Sequence, residues 1–193
     1  MTIRHYNEHA DSFWDGTRDY DVSQNIGALI RALGQGSHRI LDFGCGPGRD
    51  LLTLKELGHD PIGLDGAGEF CEMARTYAQC TVWHQDFLKL DLPKAFFDGV
   101  FANASFFHIP SQELPRVLGE VRAALKPGGV LFASNPRGDN VEGWNGSRYG
   151  AYYDLDRWSQ SMTRAGFEKV EHYYRPAGKP REEQPWLAST WRC

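Results

Sequence analysis

Asp42 stands two residues before a glycine turn, Gly44-Cys45-Gly46-Pro47-Gly48. Glycine can take positive φ there and puts no Cβ against a ligand, and a helix beginning behind the turn offers unpaired N–H groups. Many nucleotide ligands use such a turn, so the glycines alone do not choose among them. The carboxylate narrows the choice, because Asp42 is a poor neighbour for pyrophosphate and a good one for an ammonium group. A second carboxylate, Asp65, ends an apolar run about twenty residues further on, where a Rossmann-like fold sets an acid against ribose hydroxyls. One carboxylate accepts two hydrogen bonds from a vicinal diol. Asp86 closes a third apolar run, and an Asp at a strand end is by itself common in turns. His108 follows a fourth run and is the best-placed base if an acceptor must lose a proton; its other reading is a structural hydrogen bond beside a helix.

These side chains need strands and helices to hold them. Ser23 caps a helix over 23–33 with Ile26, Leu29, Ile30 and Leu33 on one stripe. Ile40 and Leu41 open a strand, and Leu51, Leu52 and Leu54 carry a helix to about Leu57. Strands then read at 61–65, 81–85, 96–102 and 130–134, with helices at 67–78 and around Leu114–Leu125. Strands alternating with helices imply a parallel sheet with right-handed crossovers. Asp154 caps a further helix ending at Gly166, and strands follow at 167–174 and 185–192. Residues 135–153 read as an irregular, glycine-rich loop leaving the carboxyl end of a central strand, the edge where open α/β sheets bind ligands. Its Trp144, Tyr149, Tyr152 and Tyr153 are expected to line a substrate pocket. Arg137 and Arg148 there hint at an acidic group on the substrate, or are solvated loop arginines.

Leu41-Asp42-Phe43-Gly44-Cys45-Gly46-Pro47-Gly48 closely resembles the first motif of the class I S-adenosylmethionine (SAM) dependent methyltransferases. Leu125-Lys126-Pro127-Gly128-Gly129 before an apolar strand resembles another element of that family. So does His84-Gln85-Asp86-Phe87, which is similar to its adenine-binding corner. The resemblance implies a Rossmann-like sandwich: a mostly parallel seven-stranded sheet with a C-terminal antiparallel hairpin and helices on both faces. SAM is the implied cofactor, held by Asp42, Gly44, Cys45, Gly46, Asp65, Gly66, Asp86, Phe87, Asn103 and Ala104. The family's small members often begin with a Tyr-x-x-x-Ala-x-x-aromatic segment that closes over the cofactor. Tyr6 to Trp14 looks like it, which implies roles for Tyr6 and for Arg18 at the cofactor carboxylate. The expected layout is one domain over 1–193, with 1–35 as helical cover and 136–153 as substrate loop.

A formal charge of −4 argues against nucleic acid, which needs a basic face. No apolar run is long enough for a membrane, and the first residues do not read as a signal peptide. Cys45, Cys71, Cys80 and Cys193 form no C-x-x-C pair, so free thiols in a reducing cytosol are expected and a zinc site is not. The expectation is a cytoplasmic monomer or weak dimer that methylates a small molecule on an unresolved O, N or S atom. A SAM-binding protein without catalysis stays open. So does an NAD-dependent oxidoreductase, against which the Gly-x-Gly-x-Gly spacing and Asp86-Phe87 speak. The Asn/Asp-Pro-Pro-Tyr of the family's nucleobase and protein amide methylases is replaced here by Asn103-Ala104-Ser105-Phe106, which disfavours those acceptors.

Overall fold

A computed structural model describes residues 1–193. Seven strands form one sheet: β1 (Arg39–Phe43), β2 (Asp60–Asp65), β3 (Val82–His84), β4 (Phe97–Asn103), β5 (Leu125–Pro136), β8 (Glu168–Arg175) and β9 (Trp186–Arg192). Their order is β3-β2-β1-β4-β5-β9-β8. The first five are parallel, and β9 runs antiparallel to both β5 and β8. The expected sheet and its terminal hairpin are thus present.

Successive residues of a strand point to opposite faces, and here both faces are buried. Ile40, Phe101, Val130 and Phe132 face the helix α3 (Ser23–Leu33), with its Ile26 and Leu29, and Leu54 of α4 (Arg49–Glu56). Leu41, Val100, Ala102, Leu131 and Ala133 face α6 (Leu114–Ala124) and α7 (Leu155–Arg164), whose Val117, Leu118, Val121, Trp158 and Met162 complete the larger core. Helix α5 (Gly68–Ala78) packs on α4 and on the β2–β3 edge.

Two segments differ from the sequence reading. Residues 141–152 are not an irregular loop. They form a second, two-stranded sheet of β6 (Val141–Asn145) and β7 (Arg148–Tyr152), with Trp144 opposite Tyr149 and Asn145 opposite Arg148. The connecting pair is Gly146-Ser147, with φ +60 at Gly146 only, the residue choice of a tight two-residue hairpin turn. Cross-strand aromatic pairing stabilises a register that composition alone did not reveal. The N-terminal segment is two short helices, α1 (Thr2–Glu8) and α2 (Ala10–Thr17), broken at His9. Neither buries a continuous stripe. They dock through Tyr6 and Phe13 onto Phe70 of α5, with ring centroids 5.1–5.6 Å apart.

Candidate active site

The strand order reverses between β1 and β4, whose carboxyl ends part to leave a crevice. A cavity of about 1150 Å³ opens there, roofed by α1, α2 and the β6–β7 hairpin. The glycine turn lies between β1 and α4. Gly44 has φ +82, and a Cβ on it would lie 2.5 Å from Cβ of Ser105, on the exit of β4. Ala104, beside it, is held at φ +64, an uncommon conformation for a residue with a side chain.

The N–H groups of the turn are all engaged within the protein. Gly44 and Cys45 donate to the carbonyl of Leu64, Gly46 donates to Asp65 Oδ2 at 3.0 Å, Pro47 has no N–H, and Gly48 donates to the carbonyl of Cys45. None is left to cradle a pyrophosphate. Asp65 accepts from the N–H of Ala67 as well, at 2.8 Å, and so ties the turn to the start of α5. Burial pushes its pKa up, opposed by the N–H groups it accepts from.

Behind the turn is a polar row of which the sequence reading named only Asn103. The Arg49 guanidinium grips Asp50 through two hydrogen bonds of 2.6 and 3.1 Å and donates to the carbonyl of Thr17 in α2. Asp50 also accepts from Asn103 Nδ2, Asn103 Oδ1 accepts from Asn25 Nδ2, and Asn25 Oδ1 accepts from the Tyr173 hydroxyl. Asn25 is fully buried on the otherwise apolar side of α3, a polar residue in a core stripe that could have marked the row. Asp42 lies beneath, 1% exposed and outside the cavity wall, with Oδ2 unpartnered. Burial, and next the charge of Asp50, raise its pKa well above the usual carboxylate range.

The structure brings most of the expected residues to the cavity wall: Tyr6, Gly44, Cys45, Gly46, Asp65, Gly66, Asp86, Phe87, Asn103, Ala104, His108, Trp144, Arg148 and Tyr149. Phe87 stacks on Phe43 at 4.3 Å, and Asp86 Oδ1 accepts from the N–H of Leu88. Five expected residues lie off the wall, the buried Asp42 among them. Arg18 points to solvent beside Asp15 and Asp19. Arg137 turns to the carbonyls of Gln184 and Arg181, which its guanidinium fork satisfies. Tyr153 is buried in the core against Trp158, and Tyr152 does not reach the cavity.

His108 joins the roof to the sheet. Its Nδ1 lies 2.7 Å from the carbonyl of Tyr149, which can only accept, so Nδ1 carries the proton. Its Nε2 lone pair then accepts from the Tyr6 hydroxyl at 2.8 Å. The N–H of Tyr149 donates to Thr2 Oγ1, and Ser147 Oγ shares a hydrogen bond with His5 Nδ1. In this arrangement the one lone pair of His108 is held by the Tyr6 hydroxyl. Burial lowers its pKa to about 4 from 6.5. Between those values the unfolded chain binds the proton and the folded chain does not, so stability falls as pH falls through that window, by about 3 kcal/mol in full. Above it neither state is protonated and the effect vanishes. A His108→Gln variant should therefore show a flatter dependence of melting temperature on pH across the window than the parent. Equal slopes would mean that His108 is not held neutral.

Comparisons with known proteins agree with this geometry. Residues 40–129 match a family model described as a methyltransferase domain. Trans-aconitate 2-methyltransferase of Azoarcus sp. is 34% identical over 100 residues, covering 51% of this chain and 39% of that protein. Ubiquinone biosynthesis O-methyltransferase of Pectobacterium atrosepticum is 26% identical over 193 residues, covering 94% of this chain and 75% of that protein. The chain spans less than half the length of the first curated relatives it matches. Among solved structures, the Burkholderia thailandensis 1,6-didemethyltoxoflavin-N1-methyltransferase, with bound 1,6-didemethyltoxoflavin and S-adenosylhomocysteine, superposes with a TM-score of 0.81. It is 21% identical, and the match covers 98% of this chain and 86% of that one. By sequence the chain carries a match to a methyltransferase domain over residues 40–129, and over nearly its whole length it shares the fold of the solved S-adenosylhomocysteine-bound methyltransferase.

Proposed function

We propose that the protein transfers a methyl group from SAM to a small-molecule acceptor. The observation that carries this reading is the glycine turn whose N–H groups are all engaged, set among carboxylates. Such a turn repels pyrophosphate and suits a ligand that brings a cation and a ribose. SAM fits that description. The Gly44 cradle leaves room for it, Asp65 would accept from its ribose hydroxyls and Asp86 from its adenine amino group. Asp50, on the cavity wall, would offset its ammonium group. When bound, SAM supplies an electrophilic methyl on a sulfonium. The chain's own contribution is to hold an acceptor close and in line and to exclude water, which are worth roughly 7–11 kcal/mol when orientation is complete. Tyr6, Trp144, Tyr149 and Arg148 form the roof over the acceptor side. We assign His108 to holding this roof.

The names of the relatives, which refer to trans-aconitate and to ubiquinone biosynthesis, support a small-molecule acceptor. No helix is long and apolar enough to cross a membrane. A net charge of −4 and four unpaired cysteines support a cytoplasmic protein without nucleic-acid binding, and a monomer or weak dimer completes the proposal. Calorimetry should show SAM and S-adenosylhomocysteine binding and NAD not binding. Incubation of methyl-labelled SAM with a metabolite extract should yield labelled small molecules together with S-adenosylhomocysteine. NAD binding would refute the site assignment, and cofactor binding with no methyl turnover on any acceptor would favour a binding protein.

A further inference from the structure

The cavity wall carries charges of both signs, and they are not evenly spread. Asp19, Asp21, Asp50, Asp65 and Asp86 make most of it acidic. Two of the three arginines on the wall are engaged: Arg49 by Asp50 and the carbonyl of Thr17, and Arg175 by the carbonyl of Asp21 at 2.7 Å. Arg148, exposed at the mouth of the cavity, takes part in no ion pair, and the neutral Tyr6 hydroxyl is its neighbour. It stands on the hairpin beside the Tyr6 hydroxyl and the neutral His108. Its positive charge acts on Tyr6, His108 and His5 alike. Glu142, on the same hairpin, is turned away and accepts from the N–H and hydroxyl of Ser111 and from the Tyr149 hydroxyl. A guanidinium on a concave wall lined by aromatic rings is a site that a carboxylate fits with two parallel hydrogen bonds. Elsewhere in the cavity an anion meets carboxylates.

We propose that Arg148 seats the methyl acceptor through a carboxylate, so that the substrates are small organic acids. This rests on the methyltransferase reading of the same cavity. The acidic side then takes the cationic groups of the donor, and the Arg148 side takes the acceptor. His108 and Tyr6, neutral and bonded to each other, leave that corner without a competing anion.

The test pairs each acid with its primary amide, as in succinate with succinamide and benzoate with benzamide. Protein saturated with S-adenosylhomocysteine is titrated with each by calorimetry, and the same pairs are offered as acceptors with methyl-labelled SAM. Acids should bind at least about tenfold more tightly than their amides. Arg148→Gln should bring acid and amide to parity with no change in S-adenosylhomocysteine affinity, and Arg148→Lys should restore part of the difference. Amides binding as well as acids, no acid binding to the loaded protein, or acid affinity untouched in Arg148→Gln would each overturn the inference and leave the methyltransferase reading standing. Failure of S-adenosylhomocysteine itself to bind would overturn both.

Discussion

Gly44→Ala is expected to abolish S-adenosylhomocysteine binding and to lower stability by about 2–4 kcal/mol, the sum of left-handed backbone strain and overpacking. At φ +82 the new Cβ would lie 2.5 Å from Cβ of Ser105 and 3.3 Å from Phe87 Cζ. Ser105 has nowhere to retreat. It is 2% exposed, it follows Ala104 at positive φ, and it precedes the fully buried Phe106. The carboxyl ends of β1 and β4 must part instead, and that gap is the crevice that shapes the cavity. Gly46→Ala is the control: its φ is also positive, +52, but the nearest atom is 3.9 Å away. It should cost only the backbone strain, about 1–2 kcal/mol. Urea unfolding gives the stabilities and calorimetry the affinities. Parental affinity in Gly44→Ala would place the ligand away from the turn.

The second large effect is expected for Asp65→Ala, with S-adenosylhomocysteine affinity falling at least about a hundredfold. Two losses combine. The ribose hydroxyls lose their acceptor, and the N–H groups of Gly46 and Ala67, held at 3.0 and 2.8 Å, lose theirs, so the turn is no longer tied to α5. The change in stability should be smaller, because relief of a buried carboxylate offsets part of the lost bonding. Comparing S-adenosylhomocysteine with its dideoxyribose analogue separates the losses. The analogue should bind the parent more weakly, while the variant should barely distinguish the two ligands. If the variant still prefers the intact ribose, the diol is held by another group.

Much of this site is legible in sequence because its parts are local. The turn from Asp42 to Gly48 is set by glycines whose positive φ no other residue adopts cheaply. Asp65 follows at the length of one helix and one strand. What escapes is long-range. Tyr6 meets His108 across 102 positions, and Tyr173 meets Asn25 across 148. No spacing rule links such pairs, and a polar residue in an apolar stripe, as at Asn25, is the faint signal they leave. The arginines show the same limit. Arg137 and Arg148 look alike in a glycine-rich stretch, but only the hairpin register sends Arg148 to the cavity while Arg137 finds carbonyls near Gln184. Tyr153 is likewise drawn into the core by Trp158, a partner whose position depends on where α7 docks.

The bonds joining α1 to the hairpin and to His108 have a kinetic consequence. They are few, Tyr6 to His108, Tyr149 to Thr2 and Ser147 to His5, and α1 contains no buried residue. A segment held in this way opens at a free energy far below that of global unfolding. Release of α1, which is also held to α5 through Tyr6 and Asn7, is therefore the expected route by which the cavity exchanges its contents while the seven-stranded sheet stays intact. Ligand capture then has a ceiling set by the fraction of time the segment stands open, well under the diffusional limit. A bound molecule, in turn, can leave no faster than those bonds break.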